Sequence, residues 1–220
     1  MLVKLVMLTC LLFVDGRLKM KDVKKLPFPG GPAVADFLEK TDEDSCSVIF
    51  VTDDSGPFST TVKEACTTRD RQQGAAVFEV GLRDRNASRR LSELLPVARQ
   101  VRRLSWCTMV VVVSHDPAFL VAFAESSLRG RLLVWATKLL IVTRLALRHL
   151  QSLLSTHWTF SMMNTVFLNF EEVPNKICFG YTYLPYTPNG AKLVKVAAWK
   201  PRSGLLLHRN TLPFSEKFEK

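Results

Sequence analysis

The sequence predicts a three-layer α/β fold in which helices cover both faces of a largely parallel sheet. Segments with strand-like patterns alternate with segments of helical periodicity, and this alternation is typical of βαβ units. The run Met-Val-Val-Val-Val at 109–113 is short and apolar, as expected for a strand buried on both faces of a parallel sheet. Asp116 and Pro117 follow it and are suited to be the N-cap and first residue of a helix.

The remaining elements follow from the same two periodicities. Further strands are predicted at residues 47–52, 76–82, 132–137, 139–143, 165–170, 177–183 and 193–199. Helices are predicted at residues 33–40, 60–71, 88–103, 117–128 and 146–154. Ser88 is a candidate N-cap, Pro96 is expected to kink or end its helix near Leu95, and Gly130 is a candidate C-cap.

The N-terminal residues have the pattern of a secretory signal peptide. Lys4 precedes an apolar run at 5–14 that is too short to cross a bilayer as a helix. Asp15-Gly16-Arg17 is not the small-residue pattern of a cleavage site, so a buried first strand or helix is the alternative. We assign residues 1–16 to a signal peptide and residues 17–31, rich in Lys, Pro and Gly, to a linker or entry segment. No transmembrane helix is predicted.

The cysteines agree with an oxidising compartment. If Cys10 leaves with the signal peptide, an even number remains for disulfide formation: Cys46, Cys66, Cys107 and Cys178. Four cysteines allow three pairings, and the spacing does not choose among them. Buried free thiols are the alternative. Asn86-Ala87-Ser88 is an N-glycosylation sequon in a polar stretch, which makes Asn86 the predicted glycan site in a secreted chain.

No catalytic, cofactor or metal motif is recognised, so we predict a protein that is not an enzyme and has no cofactor. The turn at residues 53–56 follows a strand but lacks a phosphate-binding glycine pattern. Ser114, His115 and Asp116 are consecutive, whereas a catalytic triad needs residues that converge from separate positions. Polar groups after two strands, at 53–55 and 114–116, fit an alternative function as a small secreted module that binds a small molecule.

The net charge of +10 raises the possibility of nucleic-acid binding. The arginines are densest at residues 83–103, but no aromatic residues are interleaved with them for base stacking. A solvated helix face with a basic end is the preferred interpretation. Nucleic-acid binding is a third and weaker hypothesis, which would depend on Arg89, Arg90, Arg102 and Arg103.

The C-terminal third carries a more specific pattern. Residues 191–205 give a strand followed by Trp199-x-Pro-x-x-Gly, and Leu-Pro-Phe-Ser-Glu-Lys-Phe follows at 212–218. This pattern resembles the opening of the ligand-binding domain in arthropod, crustacean-type variant ionotropic glutamate receptors, the chemosensory ionotropic receptors. Segments 110–114, 132–137, 158–165 and 181–188 resemble the amino-terminal region of crustacean members. Pro213 precedes Phe214 here, the reverse of the family order.

The resemblance implies an extracellular amino-terminal domain of periplasmic-binding-protein type at residues 32–190 and the beginning of the first ligand-binding lobe at 191–220. It implies a subunit of a ligand-gated cation channel that pairs with other receptor subunits, with the pore and the residues that grip a small-molecule ligand lying downstream of this chain. The ligand-binding residues are therefore not assigned. The expected location is the extracellular side of the plasma membrane, or the medium if the chain is a truncated product.

Overall fold

The computed structural model describes residues 30–41, 46–53, 75–80, 87–170, 177–208 and 214. The strands of these ranges are β1 (Ser47–Thr52), β2 (Ala75–Glu79), β3 (Thr108–Val113), β4 (Lys138–Thr143), β5 (Thr165–Asn169), β6 (Cys178–Leu184), β7 (Lys192–Lys200) and β8 (Gly204–Leu207). The helices are α1 (Gly30–Thr41), α2 (Ala87–Arg103), α3 (Pro117–Arg129), α4 (Leu147–Thr156) and α5 (Trp158–Met162).

All eight strands form one sheet in the order β2-β1-β3-β4-β5-β6-β7-β8. The first five strands pair in parallel, and β6, β7 and β8 continue the sheet in antiparallel pairing. The change of direction suits the short connections at 185–191 and 201–203, because antiparallel strands need only a tight turn whereas parallel strands need a longer crossover. The order of the parallel part, 2-1-3-4-5, is that of a doubly wound sheet whose direction of winding reverses between β1 and β3.

The sheet is covered on both faces, which confirms the α/β prediction. On one face α2, α3, α4 and α5 pack over a core built from alternate strand residues such as Val110, Val112 and Ile141. On the other face α1 packs over the intervening residues, among them Val111 and Leu140. Every residue of β3 is buried, as a strand with helices on both sides requires.

Most predicted elements are present, with two differences. Residues 132–137 are not a strand, because the end of α3 is followed at once by a turn in which Thr137 N–H donates to Val134 O (2.8 Å). α2 runs through Pro96 to Arg103, so the helix does not end near Leu95. The buried side chains of Leu91, Leu95 and Ala98 hold this helix against the sheet, and this packing outweighs the proline penalty of about 3 kcal/mol.

The element ends also differ from the prediction in places. α1 begins at Gly30, inside the segment 17–31 that was predicted as a linker. α2 begins at Ala87, so Ser88 lies within its first turn and is not the N-cap. β8 was not predicted as a separate strand. The predicted helix at 60–71, the signal peptide at 1–16 and most of the linker lie outside the described residues.

The ends of α3 show how local sequence fixes this element. Asp116 is the N-cap, and its side chain accepts a hydrogen bond from Ala118 N–H at 2.9 Å, as predicted. At the other end Gly130 is the C-cap, as predicted, but its backbone is right-handed. The left-handed residue is Arg131 with φ 50°. Arg131 N–H donates to Leu128 O and Leu132 N–H donates to Ser127 O, which is the Schellman arrangement.

The C-terminal strands continue the sheet formed by the residues before them. β7 pairs with β6 across the predicted boundary between residues 190 and 191. Trp199 Nε1 donates to Asp36 Oδ2 of α1 at 2.8 Å, and Phe214 meets Phe37 edge-to-face with centroids 5.8 Å apart. The described part of 191–220 is therefore anchored to α1. None of the described helices is long and apolar enough to cross a membrane.

Candidate functional site

Polar residues follow or end four neighbouring parallel strands at the carboxyl edge, the edge of the sheet where these strands end. Asp53 follows β1, Ser114 follows β3, Thr143 ends β4 and Asn169 ends β5. All four are at most 1% exposed. With His115 they make up what we call the carboxyl-edge cluster. The cluster lies beside the point between β1 and β3 where the direction of winding reverses. Doubly wound sheets bind their ligands at this point.

Asp53 and Ser114, which are 61 residues apart in the chain, are joined by a hydrogen bond. The Ser114 hydroxyl donates to Asp53 Oδ2 and accepts from Asp116 N–H at 3.0 Å. Ser114 N–H donates to Val142 O of β4 at 3.1 Å. Both side chains are thus fixed, and Ser114 links the ends of β1 and β4 to the start of α3.

His115 lies half-buried between two charges of opposite sign. Burial is the main cause that lowers its pKa below the ordinary value of 6.5, and the charge of Arg144 lowers it further. The Asp53 carboxylate and a backbone hydrogen bond at Ser114 act in the opposite direction. Because the net shift is downward, His115 is a neutral imidazole at pH 7 and contributes hydrogen-bonding capacity without charge.

The side chain of Asn169 is only partly satisfied by hydrogen bonds within the described residues. Its Nδ2 donates to Leu145 O at 3.0 Å. Its Oδ1 is buried and has no hydrogen-bond partner among the described residues. A buried acceptor without a partner costs about 1–3 kcal/mol, so this oxygen is a position where an external donor, from a ligand or a water molecule, would be favourable.

The structure brings together some of the residues singled out in the sequence and separates others. Asp53 and Ser114 meet, whereas Asp116 points its carboxylate to the backbone of α3 as the cap. Residues 54 and 55 lie outside the described ranges. Thr143 and Asn169 were not anticipated, although each is a polar residue at the end of a buried strand. Within the described ranges no three His, Cys, Asp or Glu side chains are arranged to hold a metal ion.

The four arginines of the nucleic-acid hypothesis do not converge. Arg89 and Arg90 lie in the first turn of α2 and Arg102 and Arg103 in its last turn. Corresponding members of the two pairs are about 13 positions apart, which in an α-helix is about 20 Å. Arg89 is also paired with Glu93 at 3.3 Å. The basic residues therefore form two separate groups at opposite edges of the sheet.

Of the four candidate cysteines, the structure joins Cys46 to Cys107, with Cα atoms 4.6 Å apart. Cys46 precedes β1 and Cys107 precedes β3, so the bridge ties these two neighbouring strands at the amino edge, where the parallel strands begin. Cys178 departs from the predicted set, because it is a buried free thiol whose pKa burial raises to about 12. Cys66 and the glycan site Asn86 lie outside the described residues.

Comparisons with other proteins do not identify a family for this chain. No protein-family model matches the sequence, and a search of curated proteins finds no match.

Proposed function

We propose that this chain is the extracellular amino-terminal portion of an ionotropic, glutamate-receptor-like channel subunit of the chemosensory branch. The observation that carries the proposal is the pattern at 191–205, which resembles the start of the ligand-binding domain in that family. In the structure this pattern is β7, a turn at 201–203 and β8. Trp199, the central residue of the pattern, is buried and bonded to Asp36, so it organises the junction with α1.

The disulfide supports the extracellular location. Disulfides persist in secreted and extracellular proteins and are rare where glutathione keeps thiols reduced. The Cys46–Cys107 bridge lies where the neighbouring parallel strands β1 and β3 begin, and it links two strands that are far apart in the chain. A chain that carries a signal peptide and a glycan at Asn86 would form this bridge on its way through the secretory pathway.

The layout of the sheet supports a binding-protein-type domain in this role. A doubly wound sheet with a buried polar cluster beside its reversal point is the arrangement in which such domains hold small ligands. The finer assignment, a periplasmic-binding-protein-like lobe, is part of the proposal. In the full receptor this lobe would pair with other subunits and support the ligand-binding layer.

The transcript tests the receptor proposal directly. Sequencing of full-length messenger RNA beyond codon 220 is expected to continue the reading frame through the rest of a two-lobed domain and three hydrophobic segments of about 20 residues each. A stop codon immediately after Lys220 in every transcript would contradict the channel assignment.

Expression of the chain tests its location independently. In insect cells the 220 residues are expected to appear in the medium, with a mass that falls on treatment with a glycosidase. The Asn86→Gln variant should be secreted at the unglycosylated mass and act as the matched control. Retention of the wild-type chain in the cytosol with reduced Cys46 and Cys107 would contradict the extracellular location.

A second candidate function, a small-molecule-binding module, is favoured by the polar groups at the carboxyl edge: the Asp53–Ser114 hydrogen bond and, at the end of β5, the Asn169 oxygen that has no partner among the described residues. An acceptor-rich cluster suits an amine or hydroxyl donor. A thermal-shift screen with small amines, amino acids and polyols is expected to raise the melting temperature, by about 5–10 °C at a hundred times Kd. A hit that Asn169→Leu abolishes supports the module, and the absence of any shift refutes it.

A further inference from the structure

The exposed apolar side chains of the protein are concentrated at one end. Nine large apolar residues are exposed in the described ranges. Two lie elsewhere, Leu147 at the start of α4 and Leu206 in β8. The other seven lie at the amino edge and form what we call the amino-edge surface: Leu104, Trp106, Leu128, Val134, Trp135, Trp158 and Tyr186.

The topology explains why these residues share one edge. Leu104 and Trp106 precede β3, Val134 and Trp135 precede β4, and Trp158 begins the short helix before β5. Tyr186 lies in the connection between β6 and β7, and β6 ends at the amino edge because it runs antiparallel to β5. Leu128 is in the last turn of α3, which crosses from the carboxyl edge to the amino edge.

The aromatic rings follow the order of the strands. Trp106, Trp135, Trp158 and Tyr186 lie by β3, β4, β5 and β6, which are neighbours in the sheet. Since strands are spaced about 4.8 Å apart, the row extends over roughly 15 Å. Trp135 and Trp158 meet edge-to-face at 5.9 Å, and Asn164 Nδ2 donates to Trp135 O at 2.7 Å, so the middle of the row is held in place.

An arginine cluster, Arg99, Arg102 and Arg103, lies beside the row at the end of α2. None of the three makes an ion pair with a carboxylate of the described residues. The Nε atoms of Arg99 and Arg102 are buried without a hydrogen-bond partner there. The last turn of α3 adds Arg129, which pairs with Glu125 at 3.7 Å, followed by Arg131, and Gly130 between them packs on Leu95, one turn before Arg99. The surface therefore combines aromatic faces with the positive charge of the arginine cluster, which no carboxylate of the described residues offsets.

We propose that the amino-edge surface binds a sulfated polysaccharide, with the arginine cluster on the sulfates and the aromatic row against the sugar rings. Guanidinium groups form paired hydrogen bonds with tetrahedral oxyanions, and a row that crosses four strands suits an extended polymer. A second copy of this face would bring arginines against arginines. The Cys46–Cys107 bridge directly precedes β3 beside Trp106 and points to an oxidising compartment, where sulfated glycans, and not nucleic acids, are the abundant polyanions.

The choice of polymer rests on the extracellular location in the proposed function, but the test is independent of the receptor assignment. The purified 220-residue chain is titrated with heparin in 0.15 M salt, with neutral dextran, a single-stranded oligothymidylate of matched charge, and phosphatidylcholine–phosphatidylserine vesicles (3:1) as comparison probes. Heparin is expected to bind in a salt-dependent manner and to change the tryptophan fluorescence. Failure here would overturn the polysaccharide site and leave the transcript and secretion tests unaffected.

Two pairs of variants distinguish heparin binding at the amino-edge surface from non-specific attraction to the positive net charge of the protein. Trp106→Ala is expected to weaken heparin binding about fivefold or more, as for an energetically important contact, whereas Leu147→Ala at the opposite edge should leave it unchanged. Arg103→Gln is expected to weaken binding and to reduce the magnitude of the salt slope by up to about 1, whereas Arg148→Gln, an exposed arginine of α4, should not. Circular dichroism confirms that each variant is folded.

Three further results would each overturn the proposal. Equal losses in Arg103→Gln and Arg148→Gln would show attraction to net charge alone. Equal affinity for the oligothymidylate, still dependent on Trp106, would assign the surface to single-stranded nucleic acid. Stronger binding to the vesicles than to heparin would assign it to a membrane surface.

Discussion

Loss of the Cys46–Cys107 cross-link is expected to lower the stability of this chain by several kcal/mol. The two residues are 61 positions apart, and closing a loop of this length reduces the entropy of the unfolded chain by an amount equivalent to about 4 kcal/mol. For a domain of this size 1 kcal/mol corresponds to about 2–4 °C. The Cys46→Ala/Cys107→Ala variant should therefore melt roughly 8–16 °C below the wild type.

The double variant also removes two buried sulfur atoms, and a control is needed for that loss. Cys178→Ala removes one buried sulfur from β6 without breaking a cross-link. Urea unfolding of all three proteins gives their free energies of unfolding by linear extrapolation. Twice the Cys178→Ala loss, subtracted from the loss in the double variant, should leave about 4 kcal/mol for the cross-link.

Two results would refute this reasoning. A cross-link contribution below about 1 kcal/mol would mean that loop closure in the unfolded chain is not what the bridge supplies. A tryptic map without reduction that lacks a linked pair of peptides 41–63 and 104–129 would show that the bridge itself is absent. Reduction of the wild type by dithiothreitol should reproduce the loss in the double variant after the sulfur correction.

Three further predictions concern single residues. The folded-state pKa of His115 is lowered from 6.5, so the unfolded chain binds more protons, and the free energy of unfolding should fall as the pH drops from 7 to 5. Measured by urea unfolding over the same pH range, the free energy of unfolding of the His115→Gln variant should fall less. Arg131→Gly should stabilise the protein by about 0.5–1 kcal/mol because it removes a left-handed non-glycine residue; an unchanged melting temperature would contradict this expectation. Cys178, with its pKa raised to about 12, should resist iodoacetamide at pH 8 until the protein is unfolded in urea, and rapid labelling of the native protein would show that it is accessible.

The fold class could be predicted because its signals are local. The apolar run of β3, the Asp116-Pro117 start of α3 and the spacing of buried residues on α2 each depend on a few neighbouring residues. The failures came where tertiary structure overrides local preference. Residues 132–137 are apolar and strand-like in composition, but the chain must reverse after α3, and Leu132 is used to close that helix. Pro96 is tolerated because the helix face on either side of it is buried.

Only some residues of the candidate site could be predicted from the sequence, for a related reason. Residues at strand ends can be identified in the sequence, and this placed Asp53 and Ser114 among the candidates. Which strand ends are neighbours depends on the order of the strands, which periodicity does not determine. Thr143 and Asn169 enter the cluster only once β4 and β5 are known to follow β3 in the sheet. The amino-edge surface was hidden in the same way, since its aromatic residues come from four separate connections.

The two kinds of residue at the amino edge do not carry equal weight as evidence of binding. α2 and α3 both end there, and positive side chains in the last turn of a helix interact favourably with its dipole. Arg102, Arg103 and Arg129 therefore have a structural reason to be where they are, even without a ligand. Trp106 has no such reason, since it is 75% exposed and loses the benefit of burial that a tryptophan side chain normally gains. The response of heparin binding to Trp106→Ala, more than to any arginine variant, thus decides whether this edge is a binding surface or only the basic end of two helices.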